Sequence, residues 1–89
     1  MSTAHLTLIG KPGCHLCDDA RAVITTVLAQ VAAEPGTPSV VFDEKSILED
    51  AELHELYVED IPVLLLNGRV HNYWRIDPAR LHTALLEVR

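Results

Sequence analysis

The side chains in this chain best suited to covalent chemistry are Cys14 and Cys17, its only two cysteines, three positions apart in Cys14-His15-Leu16-Cys17. Thiols at that spacing suit disulfide exchange, because a mixed disulfide formed on one sulfur is within reach of the other. The segment stands where an apolar strand, His5 to Ile9, passes through Gly10-Lys11-Pro12-Gly13 into a helical pattern. A helix N-terminus carries about half a positive charge and unpaired amide donors, and both stabilise a thiolate. Lys11 and a protonated His15 add positive charge, whereas Asp18 and Asp19 favour the helix start and oppose a nearby thiolate. These opposed charges leave the direction of the redox potential open. Cys14, at the helix tip, is the candidate nucleophile, and Cys17, a turn inward, the candidate resolving thiol.

Two other uses of the pair compete with this one. Half of a zinc site would need about four ligands in all, and His5, His54, His71 and His82 are scattered without metal-ligand spacing. Two inert core thiols would make both the spacing and the helix start accidental. A CxxC at the end of the first strand of a βαβ unit favours the redox reading, and no metal site is expected.

The elements that must hold these sulfurs follow from periodicity. Leu16, Ala20, Val23, Ile24, Val27, Leu28 and Val31 recur at spacings of three and four, giving one apolar helix face that Glu34-Pro35-Gly36-Thr37-Pro38 ends. Val40-Val41-Phe42 is a short β-branched strand. A second, acidic helix with a stripe of Leu53, Leu56 and Tyr57 ends near Val58, capped by Ser46 (with Glu49) or by Asp50. Ile61 to Leu66 and Val70 to Trp74 are two strands joined by the hairpin signal Asn67-Gly68. Asp77-Pro78 starts a last helix with Leu81, Ala84, Leu85 and Val88 on its face. The order β-α-β-α-β-β-α predicts an α/β domain: a four-stranded mixed sheet with helices on both faces and the first two strands parallel neighbours.

Composition narrows the partners. At 89 residues the chain has room for one domain, expected over 1–89, that buries roughly 60–65% of its unfolded surface. Its 48% apolar and 22% charged content is that of a globular protein. Seven basic against 13 acidic residues give a net charge of −6, which argues against a nucleic-acid backbone as partner. No apolar run exceeds Val63-Leu64-Leu65-Leu66, far short of the about 20 residues of a membrane span. Met1-Ser2-Thr3-Ala4-His5 lacks the features of a signal peptide, and two close cysteines are too few for a secreted disulfide scaffold, so a cytoplasmic setting is expected.

On Leu6 to Cys17, the element order, Ile61-Pro62-Val63, Asn67-Gly68 and the closing helix, the chain resembles the thioredoxin fold and, within it, small bacterial glutaredoxin-like domains with a Lys-Pro-Gly-Cys-x-x-Cys start. The resemblance implies a sheet order of 2-1-3-4 with the third strand antiparallel to the rest. It also implies attack by Cys14, resolution by Cys17, and a cis Pro62 facing the cysteines. The backbone of Ile61 would then be free to pair with an extended substrate segment, a form of strand addition. Lys11 matches the glutaredoxin lysine that holds a glutathione carboxylate, and a solvated loop charge is its simpler role. His15-Leu16 replaces the family's tyrosine between the cysteines, and Tyr73-Trp74-Arg75-Ile76 stands where a Gly-Gly pair is usual. That bulk counts against close approach of glutathione. Asp77 matches an acidic glutathione contact and serves equally as a helix cap. Trp74 offers a substrate an apolar platform or packs its strand onto a helix, the commoner role for a lone tryptophan. Arg75 is expected to be solvated, and His15 to tune the local charge.

The expected activity is thiol–disulfide exchange on protein or small disulfides, by a monomer without a resident cofactor. Glutathione is a possible co-substrate, and either it or thioredoxin reductase is the expected electron donor. The alternatives are an iron–sulfur or other metal carrier of glutaredoxin type, and a thioredoxin-fold interaction module whose cysteines serve only as a sensor.

Overall fold

The computed structural model describes residues 2–88. Seven elements run in the order β1 (Thr3–Gly10), α1 (His15–Ala33), β2 (Ser39–Ser46), α2 (Ala51–Tyr57), β3 (Val63–Leu66), β4 (Arg69–Tyr73) and α3 (Pro78–Leu86). They form one four-stranded sheet of order β2-β1-β3-β4. β1 and β2 are parallel from Thr3–Ser39 to Gly10–Ser46, while β3 is antiparallel to both β1 and β4. This is the thioredoxin fold.

Strand alternation divides β1 between two cores. Ala4, Leu6 and Leu8 face one side of the sheet, where Ala20, Ile24, Val27 and Val31 of α1 and Leu81 and Leu85 of α3 close the larger core. Ile9 faces the other side, where it packs with Ile47 and Val63 beneath Leu53 and Tyr57 of α2. Helices therefore cover both faces. Leu56 is not part of the α2 stripe expected from sequence: it is 57% exposed, because a seven-residue helix lying on a sheet can bury only one narrow edge.

Asp50, not Ser46, caps α2, its carboxylate accepting the N–H groups of Glu52 and Leu53. Ser46 closes β2 instead. That strand runs four residues past Phe42 because Asp43 to Ser46 find backbone partners in Thr7 to Gly10. At the hairpin, Asn67 (φ 52°) and Gly68 (φ 82°) both take the positive φ that a two-residue type I′ turn requires. Asn67 ties the turn to β1: its N–H donates to the His5 carbonyl at 2.8 Å, and its Oδ1 accepts the His5 N–H at 2.9 Å. In the β3–β4 ladder Leu64 pairs Asn72 and Leu65 pairs Val70, which leaves His71 bulged out of register.

Candidate active site

The sulfurs stand where β1 hands over to α1. Pro12-Gly13 makes the turn, with Gly13 at φ 75°, the conformation that a proline–glycine pair favours. Cys14 follows in extended backbone as the N-cap of α1 and is half-buried. Its Sγ accepts the backbone N–H of Cys17 at 3.1 Å, one of the donors that a helix start leaves unpaired. Cys17 is 2% exposed. The two Cα atoms are 5.2 Å apart and the sulfurs are joined as a disulfide. One cysteine is thus half-buried at the positive end of a helix while its partner is buried.

The Ile61–Pro62 peptide is cis. Pro62 is buried one step beyond the Ile9–Val63 pair, which by continuation of the register puts it across from Gly10. Its carbonyl accepts the N–H of Trp74 at 2.7 Å, so the end of β4 is fastened to the start of β3. The Ile61 side chain is turned away into the smaller core.

Two hollows flank the start of α1. One, of about 340 Å³, is lined by Gly10, Lys11, Cys17, Arg21, Glu44 and Lys45 among others. The second is bordered by Leu16, Tyr73, Trp74 and Arg75. Lys11 is thereby grouped with Cys17, and Trp74 with Leu16, but Lys11 and Trp74 do not share a hollow. His15, the first residue of α1, is exposed and borders neither.

Trp74 corrects an expectation. It is not buried between β4 and a helix: it is 54% exposed, at φ 58°, beside Tyr73 with ring centroids 6.4 Å apart, and only borders α1 at Leu16. A left-handed residue right after the last strand residue turns the chain sharply and swings the indole off the sheet. Leu16 likewise leaves the core face and is only half-buried. Arg75 is exposed, as expected.

Arg21 and Glu44 were not evident as site neighbours. The guanidinium of Arg21 donates to both carboxylate oxygens of Glu44 on β2 at 2.9 Å and to Asp18 at 2.9 Å. Its hydrogen bonds to Glu44, then to Asp18, raise the Arg21 pKa and hold the group charged. Asp18, a carboxylate in the first turn of α1, is therefore paired with a cation rather than standing free beside Cys14. The spacing of Asp18 and Arg21 hinted at half of this triad, but Glu44 joins it only through the β2 extension. Among the described residues no three His, Cys, Asp or Glu side chains converge to hold a metal ion, and no helix is long and apolar enough to cross a membrane.

Residues 5–86 match the family model described as Glutaredoxin-like domain (DUF836). The uncharacterized protein Rv0508 of Mycobacterium tuberculosis (strain ATCC 25618 / H37Rv) is 29% identical over 83 residues, spanning 91% of this chain and 81% of that protein. The X-ray structure of target protein XcR50 from X. campestris is similar with a TM-score of 0.62 at 32% identity, over 90% of this chain and 93% of that one. The solution NMR structure of protein Ne2328 from Nitrosomonas europaea gives a TM-score of 0.76 at 21% identity, over 96% and 94% of the two chains. Oxidized mitochondrial thioredoxin 3 from Saccharomyces cerevisiae gives 0.61 at 16% identity, over 92% and 76%. The last two likenesses bear on fold alone. With the family model spanning nearly its whole length around a CxxC disulfide, the chain belongs to the glutaredoxin-like family.

Proposed function

We propose that this protein is a dithiol thiol–disulfide oxidoreductase. One observation carries the reading: Cys14, half-buried at the N-cap of α1, is bonded to a buried Cys17. The more accessible cysteine at the positive end of a helix suits first attack, and the buried one bonded to it suits resolution.

In the reductive direction, the Cys14 thiolate attacks a substrate disulfide R–S–S–R′. The Cys14–S–R bond forms and R′–S⁻ leaves. The Cys17 thiolate then attacks the Cys14 sulfur, closing the Cys14–Cys17 disulfide and releasing R–S⁻. Two electrons pass to the substrate, and a thiol or reductase donor returns them. Ile61, beside Pro62, would present its backbone to an extended substrate, Trp74 an apolar surface, Lys11 positive charge, and His15 an exposed imidazole next to Cys14. The bulk of Tyr73 and Trp74 at the end of β4 favours thioredoxin reductase over glutathione as donor. Protein disulfides in the cytoplasm are the proposed substrates, with the protein acting as a monomer.

The test offers the oxidised protein glutathione in one arm and thioredoxin reductase with NADPH in the other, reading regeneration of the dithiol. Reduction of a model disulfide is expected to vanish in Cys14→Ser, and mixed disulfides to accumulate in Cys17→Ser. Wild-type turnover by Cys14→Ser would overturn the mechanism.

A further inference from the structure

Gly10, the last residue of β1, is buried and does not need the positive φ taken by Gly13, Gly36 and Gly68. A glycine inside a strand costs backbone entropy and leaves a gap in the packing, so such a position often marks a close approach by another group. The backbone of Gly10 is engaged: it pairs with Ser46, and its carbonyl accepts the Ile47 N–H at 2.9 Å. The missing side chain is explained from the α1 side of the sheet. A Cβ on residue 10 would lie 2.7 Å from Cys17 Sγ and 3.3 Å from Cys17 Cβ. Real Cβ atoms essentially never show the first separation. Turning the sulfur aside gives no relief in the disulfide, because the bond to Cys14 fixes where it lies.

We propose that Gly10 is a positioning residue whose absent side chain forms the seat of the Cys17 sulfur in the disulfide state. The effect depends on redox state. In the disulfide, Sγ is held over Gly10. In the dithiol, the Cys17 side chain is released to turn about χ1, and only the 3.3 Å contact to its Cβ persists. A side chain at position 10 therefore penalises the oxidised protein more than the reduced one. In the exchange with dithiothreitol, the Cys14–Cys17 bond breaks, two thiols form on the protein, and reduced dithiothreitol becomes its cyclic disulfide. Gly10→Ala pulls that equilibrium toward the protein dithiol. The proposal rests on the Cys14–Cys17 exchange above and adds the residue outside the motif that helps to set its potential.

Wild type and Gly10→Ala are equilibrated in dithiothreitol redox buffers, and the dithiol fraction is read by alkylation and mass. The expected shift is about tenfold in the equilibrium constant, equivalent to about 30 mV for a two-electron couple. Unfolding midpoints of Gly10→Ala are then compared in the oxidised wild-type and Cys17→Ala backgrounds. The loss is expected to be clear in the first and much smaller in the second, where the sulfur is gone. An unchanged equilibrium constant overturns the proposal. Equal losses in both backgrounds also overturn it, since the strand rather than the sulfur would then require glycine. If Gly10→Ala does not fold, folding of the double variant supports the proposal and failure of both overturns it. The dithiothreitol equilibrium still reports on Gly10 even if Cys14→Ser retains turnover, so the two failures are distinguishable.

Discussion

At the start of α3, Asp77 sits in extended backbone (φ −84°, ψ 109°) and its Oδ1 accepts the N–H of Arg80 at 3.1 Å. At the start of α1, Cys14 adopts nearly the same conformation (φ −98°, ψ 112°), and its Sγ accepts the N–H of Cys17, also three residues on and at 3.1 Å. The geometry is shared and the acceptor differs. A carboxylate is among the best N-caps, whereas sulfur is a weak acceptor. The two helices also differ in what else holds them. α1 has 19 residues and sinks Cys17, Ala20, Ile24, Val27 and Val31 into the core, while α3 has nine and buries Leu81 and Leu85. Helices in proteins owe most of their stability to the packing of an apolar face. Where packing already holds the helix, the cap is free to be chosen for reactivity. The short helix keeps the strong cap, with Pro78 at its first position.

The most severe way to break the comparison is Cys14→Asp, which gives α1 the cap of α3. Disulfide exchange is expected to fall to the uncatalysed level. The midpoint of chemical unfolding should match or exceed that of reduced wild type by up to about 1 kcal/mol. A large loss of helicity by circular dichroism would show that the sulfur contributes more to the helix than capping.

The converse change, Asp77→Ala, is expected to cost about 1 kcal/mol of stability in denaturant unfolding and to leave the Cys14–Cys17 equilibrium unmoved. It should also sharpen a smaller effect at the same end of the molecule. His71 has a buried Nε2 without a hydrogen-bond partner. Burial, and then the charge of Arg80, push its pKa below the ordinary 6.5, against an opposing pull from Asp77. As pH falls through 6.5 the unfolded chain takes up the proton before the folded one does. Stability is therefore lost downward from that point until the lower folded value is passed. Unfolding midpoints between pH 7 and 5 should show this loss. His71→Phe should flatten the slope, and Asp77→Ala should steepen it.

The mildest test is Arg21→Gln, which unpairs Asp18 and Glu44 beside α1. Because the groups are half exposed, the expected cost is about 0.2–1 kcal/mol. The difference from wild type should shrink in high salt, where exposed ion pairs are screened. A cost that persisted in high salt would mean that Arg21 acts through packing.

Much of the fold is legible because its signals are local. The 3.6-residue repeat from Ala20 to Val31, the Asn67-Gly68 turn and the Asp77-Pro78 start each act within a few residues, and the structure keeps all three. The CxxC at the strand–helix junction is legible for the same reason. The end of β2 is not, because Asp43-Glu44-Lys45-Ser46 has no apolar alternation and is strand only by pairing with β1. Nor is the exposure of Trp74, a left-handed residue whose backbone N–H is tied to the Pro62 carbonyl, twelve residues away in sequence.

By itself, then, the sequence determined the order of helices, strands and turns, though not the length of β2, and that two thiols share one helix start. Those outcomes depend on propensity, period and capping among near neighbours. Only the tertiary structure decided that Arg21 meets Glu44, that Trp74 faces outward, and that Gly10 lies under the Cys17 sulfur. In the sequence Gly10 reads as a strand breaker, and its close neighbour comes from the next element. Such contacts are set by how elements cross and in what register, and that is chosen by the packing of the whole core rather than by the residues that end up touching.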